Sequence, residues 1–303
     1  MISNGLLRCL IALLCSLAWQ AGLAEPPDAG DSQRFALVIG ISDYPGNSLD
    51  LPLVSEDVKA VKAMLTADLG FEQDKLLVLE NEQATRRAIL EGINGFLGQA
   101  GTDDIAVIYY SGHGTRTQDN VAASGEFDPE ADGRDEALVA YDQLLVDDEI
   151  AFALNSIAAG RLLVLIDSCH SGDATRADTE RGMPKKAEWQ ELSKYISLPE
   201  DFIISAEAAE GDWESALSEI DAQRDGRLFI AASDENELSW VAPNLGLSLF
   251  TFHLTRRLPQ AGDKSFQEFV DEVSPRVNRY AQQHFQAAQS THLEAGEAVS
   301  YTH

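Results

Sequence analysis

Cys169 ends an apolar run in LIDSCHSGDATR (165–176), and His113 follows a second such run in YYSGHG (109–114). A thiol becomes a strong nucleophile when an imidazole takes its proton, and the pair then attacks carbonyl carbon. The other cysteines, Cys9 and Cys15, stand in an N-terminal leader, so Cys169 is the one thiol of the remaining chain. His170 competes as the base, but in an extended chain it points to the face opposite Cys169, which favours His113. Singly, a histidine in a glycine-flanked loop is an ordinary polar residue, and a lone cysteine is a small buried hydrophobe. Together, at the ends of consecutive long strands, they make a catalytic dyad.

The elements that must position them are legible as FALVIGI (35–41), KLLVLEN (75–81), DIAVIYY (104–110) and RLLVLID (161–167). Such near-continuous apolar runs fit strands covered on both faces of a parallel sheet. Between them Val54, Val58, Val61, Met64 and Leu65 recur at helical spacing, as do Ile89, Ile93, Phe96 and Leu97 behind a cap at Thr85. This alternation predicts an α/β fold. FIISA and RLFIAAS add two strand-like runs beyond residue 200, and helices are expected around 246–258 and 264–287. Sites in open parallel sheets form beyond the carboxyl ends of strands. With DIAVIYY and RLLVLID as neighbours ~4.8 Å apart, His113 and Cys169 leave one edge side by side. Gly112, Gly114 and Gly172 are expected to supply the sharp turns there.

The N-terminus, MISNGLLRCLIALLCSLAWQAGLA, has Arg8, an apolar core, and Gly22 and Ala24 at signal-peptidase spacing. It reads as a secretory signal cut near Ala24, its apolar run being short of the ~20 residues a spanning helix needs. Leu14 stands where a lipoprotein signal ending at Cys15 has a small residue. A secreted or periplasmic location follows, with no membrane attachment after signal cleavage. Fifty acidic against 22 basic residues give a net charge of −28. That field excludes nucleic acid and draws cationic peptides or metal ions. A cysteine phosphatase is excluded too: Cys169 and Arg176 are separated by one residue too many for a phosphate loop, and Asp173 stands among them.

YYSGHG followed by DSCHSG resembles the catalytic motifs of the caspase-like cysteine peptidases, and the DSCHSG form is similar to the metacaspase branch, including its bacterial members. The interval from 113 to 169 also fits the caspase spacing of ≈ 50 residues. The resemblance implies a caspase-like (caspase-hemoglobinase) fold: a mostly parallel six-stranded sheet with helices on both faces. Beyond the signal at 1–24, it implies a peptidase domain at 34–290. That domain divides into a large-subunit-like part (34–173), a linker (174–200) and a small-subunit-like part (201–290), with a polar tail at 291–303. Cys169 would attack the scissile carbonyl, His113 would protonate the leaving amine, and the N–H groups of Gly114 and Cys169 would hold the oxyanion. Metacaspases cut after Arg or Lys, and the matching pocket residues are Asp57, Ser111 and Asp167. For Asp57 the plain alternative is an acid favoured by a helix N-terminus.

DGRDEALVAYDQLLVDDEI is similar to the metacaspase segment that supplies calcium ligands, which implies Asp135, Asp147 and Asp148, with Asp173 as a displaced fourth. A solvated acidic loop capping a helix at Asp147 is the alternative. The chemistry needs no cofactor, so Ca²⁺ would act as an activator. The expected partners are peptides or proteins with exposed Arg or Lys, and the expected state is a monomer. A different class of function is a catalytically silent peptide-binding module that kept the fold. The stretch from Ala174 to Lys186 gathers Arg176, Arg181, Lys185 and Lys186 around Gly182 and Pro184, which predicts self-cleavage there.

Overall fold

The computed structural model describes residues 32–46, 49–118, 134–169, 193–194, 226–234, 237–262 and 264–295, the side chains of 116–118, 134–135, 147–148 and 294–295 excepted. The signal segment, His170, Gly172, Asp173, the FIISA run and the basic residues between 174 and 186 lie outside these. No helix among the described residues is long and apolar enough to cross a membrane.

The four apolar runs form β1 (Arg34–Gly40), β2 (Leu76–Glu80), β3 (Ile105–Ser111) and β7 (Arg161–Asp167), and RLFIAAS supplies β8 (Arg227–Ala231). With β11 (His292–Ala295) they make one six-stranded sheet in the order β11-β8-β7-β3-β1-β2. Every pairing in it is parallel except β11 on β8. The short strands β4 (Gly114–Gln118), β5 (Arg134–Val139) and β6 (Leu144–Val146) form a separate antiparallel sheet, and β9 (Val241–Ala242) pairs with β10 (Leu247–Ser248). The expected domain end at 290 therefore falls short, because His292–Ala295, placed in a polar tail, completes the sheet. HLEA is too short, and too poor in β-branched residues, to announce a strand by itself.

Alternation along the strands explains the layers. In β1, Phe35, Leu37 and Ile39 pack with Ile89, Ile93 and Leu154, from the side of α2 (Arg86–Glu91) and α3 (Asp147–Asn155). Ala36 and Val38 pack on the other face with Val58, Phe250, Leu254, Val273 and Val277. These belong to α1 (Val54–Ala63), α4 (Leu249–Arg257) and α5 (Phe266–His284). Thr85 caps α2 as expected, accepting the Ala88 N–H at 3.1 Å. A capping box of Ser265 and Glu268 starts α5.

Candidate active site

β3 and β7 are neighbours, with Ser111 opposite Asp167, so His113 and Cys169 each follow two positions beyond one register line. Sequence spacing is thereby converted into one site at the carboxyl edge of the sheet. Gly112 and Gly114 are needed there for space and not for a turn, since neither has a positive φ. A Cβ on Gly112 would lie 2.6 Å from the Tyr110 hydroxyl, and one on Gly114 would lie 1.9 Å from the Cys169 carbonyl oxygen.

His113 is held on all sides. Its N–H donates to the Tyr44 hydroxyl (2.9 Å), and its carbonyl accepts the Tyr110 hydroxyl (2.8 Å). The ring Nε2 lies 2.8 Å from the Leu49 carbonyl oxygen, and Nδ1 lies 2.9 Å from that of Lys194. A carbonyl only accepts, so both contacts are satisfied only while both ring nitrogens carry hydrogen; of the two, Nδ1 faces the Lys194 carbonyl and is placed for catalytic proton transfer. Burial pulls the imidazole below its usual range, against the two carbonyls, which favour the charged form.

The Cys169 thiol is fully buried, and burial pushes it up to about 12. The Ser239 N–H donates to Sγ at 3.0 Å, which works in the opposite direction. Imidazole and thiol thus have separate partners, and both face the segment Ser193–Lys194. Sγ lies 3.9 Å from Ser193 Oγ, and Gly114 N–H donates to the Lys194 carbonyl at 3.0 Å.

The three pocket residues predicted from the resemblance are gathered, all fully buried, around one ammonium. Lys194, itself fully buried, donates from Nζ to Asp167 Oδ1 (2.7 Å), Ser111 Oγ (2.9 Å) and the Asp167 carbonyl (2.9 Å). Its three hydrogens are thereby used. Asp57 Oδ2 stands 3.8 Å from Nζ. Asp57 accepts from Ser111 Oγ (3.0 Å), from the Ser248 N–H (2.8 Å) and from the Ser248 hydroxyl. Asp167 accepts from Ser239 Oγ (2.7 Å) and Thr251 Oγ1 (2.6 Å). Two carboxylates share one cation, and burial pushes the Asp57 carboxyl up to about 6 against the pull of Lys194. Asp57 lies in the first turn of α1, yet its partners are the pocket residues, so the dipole alternative does not account for it.

Lys194 lies beyond the Gly- and Pro-broken stretch ending at Lys186, where the sequence concentrates its basic residues. The available signal was a further basic residue before β8 in an acidic chain. Ser239, Ser248, Thr251, Tyr44 and Leu49 carried no local signal, since each acts through contacts distant in sequence.

For the calcium set, the backbone is described at Asp135 in β5 and at Asp147–Asp148 opening α3. The β5–β6 ladder pairs Ala137 with Val146, which brings Asp135 and the Asp147–Asp148 pair to the same end of that hairpin. Carboxylates are the donor chemistry a hard cation takes. The side chains, and all of Asp173, lie outside the described residues.

Comparison with known proteins identifies the family and the fold. The Caspase domain family matches residues 33–296, and the chain belongs to that family. Among curated relatives it is 31% identical to Metacaspase-4 of Arabidopsis thaliana, over 54% of this chain and 40% of that protein. It is 34% identical to Metacaspase-1 of Candida albicans, over 46% of this chain and 33% of that one. The match thus spans two fifths or less of these relatives' length. Protein GSU0716 of Geobacter sulfurreducens shares the fold with a TM-score of 0.63 at 21% identity, covering 88% of this chain and 95% of its own. Caspase-1 of Spodoptera frugiperda does so with a TM-score of 0.53 at 14% identity, covering 88% and 87%. The fold is caspase-like α/β, as expected.

Proposed function

We propose that the protein is a cysteine endopeptidase of metacaspase type that cuts after Lys or Arg, and that it cuts its own chain after Lys194. One observation carries this reading. Lys194 fills the pocket of Asp57, Ser111 and Asp167 while its own carbonyl oxygen meets Gly114 N–H and His113 Nδ1. A basic side chain in an acidic pocket, with the following peptide bond at the dyad, is the pose of a substrate. It supports self-cleavage later in the linker than the expected sites at Arg176, Arg181, Lys185 and Lys186.

In the reaction, Cys169 loses its proton to His113, and Sγ bonds to the carbonyl carbon. Gly114 N–H holds the oxygen as it gains charge. The C–N bond breaks as His113 Nδ1 gives its proton to the leaving amine. Water then attacks the thioester, giving up its proton to His113, and the acid leaves as the thiol is restored. The raised thiol makes the uncut chain a slow enzyme, because the thiolate is the nucleophile.

Asp135, Asp147 and Asp148, with Asp173, would hold Ca²⁺, which would supply charge compensation among these acids. The leader supports export to the periplasm or medium, and the protein would act there as a monomer on exposed Lys and Arg.

The test is intact-mass and peptide mapping of the full chain, with and without Ca²⁺, beside Cys169→Ala and Lys194→Gln, together with Lys, Arg and Asp reporter peptides. Wild type should yield a fragment ending at Lys194 and hydrolyse Lys and Arg reporters, and neither variant should be cut at that bond. Reporter hydrolysis by Cys169→Ala at the wild-type rate would end the reading. No hydrolysis by wild type under any condition would leave the silent peptide-binding module.

A further inference from the structure

Ser239 touches three parts of the site at once. Its N–H donates to Cys169 Sγ (3.0 Å), its carbonyl accepts the Lys194 N–H (3.1 Å) and its hydroxyl donates to Asp167 Oδ1 (2.7 Å). The nucleophile, the backbone of the residue to be cut and the pocket carboxylate therefore share one residue. That residue lies between β8 and β9, outside regular structure, so no ladder of backbone bonds fixes it.

Gln289, fully buried between α5 and β11, supplies the anchor. Its Nε2 donates to the Ala232 carbonyl (3.1 Å) and to Ser239 Oγ (3.4 Å), and its Oε1 accepts the Trp240 N–H (3.3 Å). Both amide hydrogens are used. The Ala232 N–H in turn donates to the Ile166 carbonyl (2.9 Å) at the end of β7, so the amide ties the Ser239 loop to the strand that carries Cys169. The adjacent Ser290 bonds the Glu237 carboxylate through both its N–H and its hydroxyl, and the Trp240 ring stacks on Phe285 at 4.7 Å. The direction of the bonds matters. Because the amide donates to Ser239 Oγ, the Ser239 hydroxyl is free to donate onward to Asp167.

We propose that Gln289 is a positioning residue for the cleavage reaction, acting through Ser239 to set the carbonyl that receives the substrate's backbone N–H. The proposal rests on the peptidase reading, and hydrolysis of an ordinary reporter by wild type is the control for that reading.

The experiment uses two Lys reporters that differ only in the bond preceding the Lys: an amide in one, an ester in the other. The ester lacks the N–H that the Ser239 carbonyl accepts. Wild type should prefer the amide about tenfold in kcat/KM, the worth of one hydrogen bond. In Gln289→Leu the preference should collapse to about twofold, because the amide no longer ties Ser239 and Trp240 to Ala232 and the Ser239 carbonyl can shift about its remaining bonds to Cys169 and Asp167. Gln289→Glu keeps the shape and the acceptor for Trp240, but loses both donors and should also collapse it, which covers failure of the leucine variant to fold. The ratio does not depend on how many molecules have an open site. If both variants lose activity on the two reporters equally and the preference stays near tenfold, Gln289 only stabilises the fold and the proposal is overturned. If wild type hydrolyses neither reporter, the peptidase reading fails and the positioning role with it.

Discussion

Replacing Asp57 by Asn removes one of two carboxylates in the pocket at nearly constant shape, and the Ser111 and Ser248 hydroxyls that donate to it can turn to accept from the new amide. The loss to a Lys substrate is mainly Coulombic. Asp57 Oδ2 is 3.8 Å from the ammonium, worth about 4 kcal/mol at an effective dielectric of ~20. At about 1.4 kcal/mol per tenfold, kcat/KM for a Lys reporter should fall by about a hundredfold to a thousandfold. Arg should lose more. Its guanidinium reaches one bond further than the ammonium, so it closes the gap and bonds Asp57 directly while keeping Asp167 and Ser111. That charge-assisted bond adds about tenfold to the cost, so wild type should prefer Arg over Lys and the preference should shrink or reverse in the variant. Protonation should mimic the substitution. Burial pushes the carboxyl up to about 6 even against the pull of Lys194, so in the emptied pocket it lies higher still, and wild-type kcat/KM on basic reporters should already be falling as pH drops toward 6. The variant should lack that limb. The assay is kcat/KM for matched Lys and Arg reporters between pH 5 and pH 8, with thermal unfolding to confirm the fold. A loss under threefold for both reporters, or an acid limb unchanged in the variant, would refute the pocket assignment.

His113→Ala should abolish reporter cleavage while His170→Ala retains most of it; equal losses in a kinetic assay would reopen the choice of base. Gly114→Ala should be inactive and less stable, because its Cβ would stand 1.9 Å from the Cys169 carbonyl oxygen, and a near wild-type melting temperature would contradict the close approach. With its thiol pushed up to about 12 and fully buried, Cys169 in the uncut chain should resist iodoacetamide at pH 8 and react once the chain is cut after Lys194, as read by mass spectrometry of the Cys169 peptide. Equal labelling before and after cutting would argue against Lys194 as the cover.

Some of this protein could be read from one dimension because the information was local. The runs around Leu37, Val78, Ile108 and Val164 are apolar on both faces, and only a covered parallel sheet uses such runs repeatedly between helical segments. The residues after two of them then had to meet at one edge, so His113, Cys169, Ser111 and Asp167 followed from strand ends and motif alone. The tertiary structure decided what those residues touch. Asp57 and Asp167 come from separate elements, and only packing α1 and α4 on one face of the sheet brings them to one ammonium. That the ammonium belongs to Lys194 depends on where the fold sets a residue far along the chain from Asp57, Ser111 and Asp167, which no periodicity records. The strand at His292–Ala295 exists because β8 offers an open edge for four residues with no strong preference of their own. Ser239 and Gln289 matter through backbone groups, and a backbone N–H or carbonyl has the same chemistry at every position until the fold gives it a place.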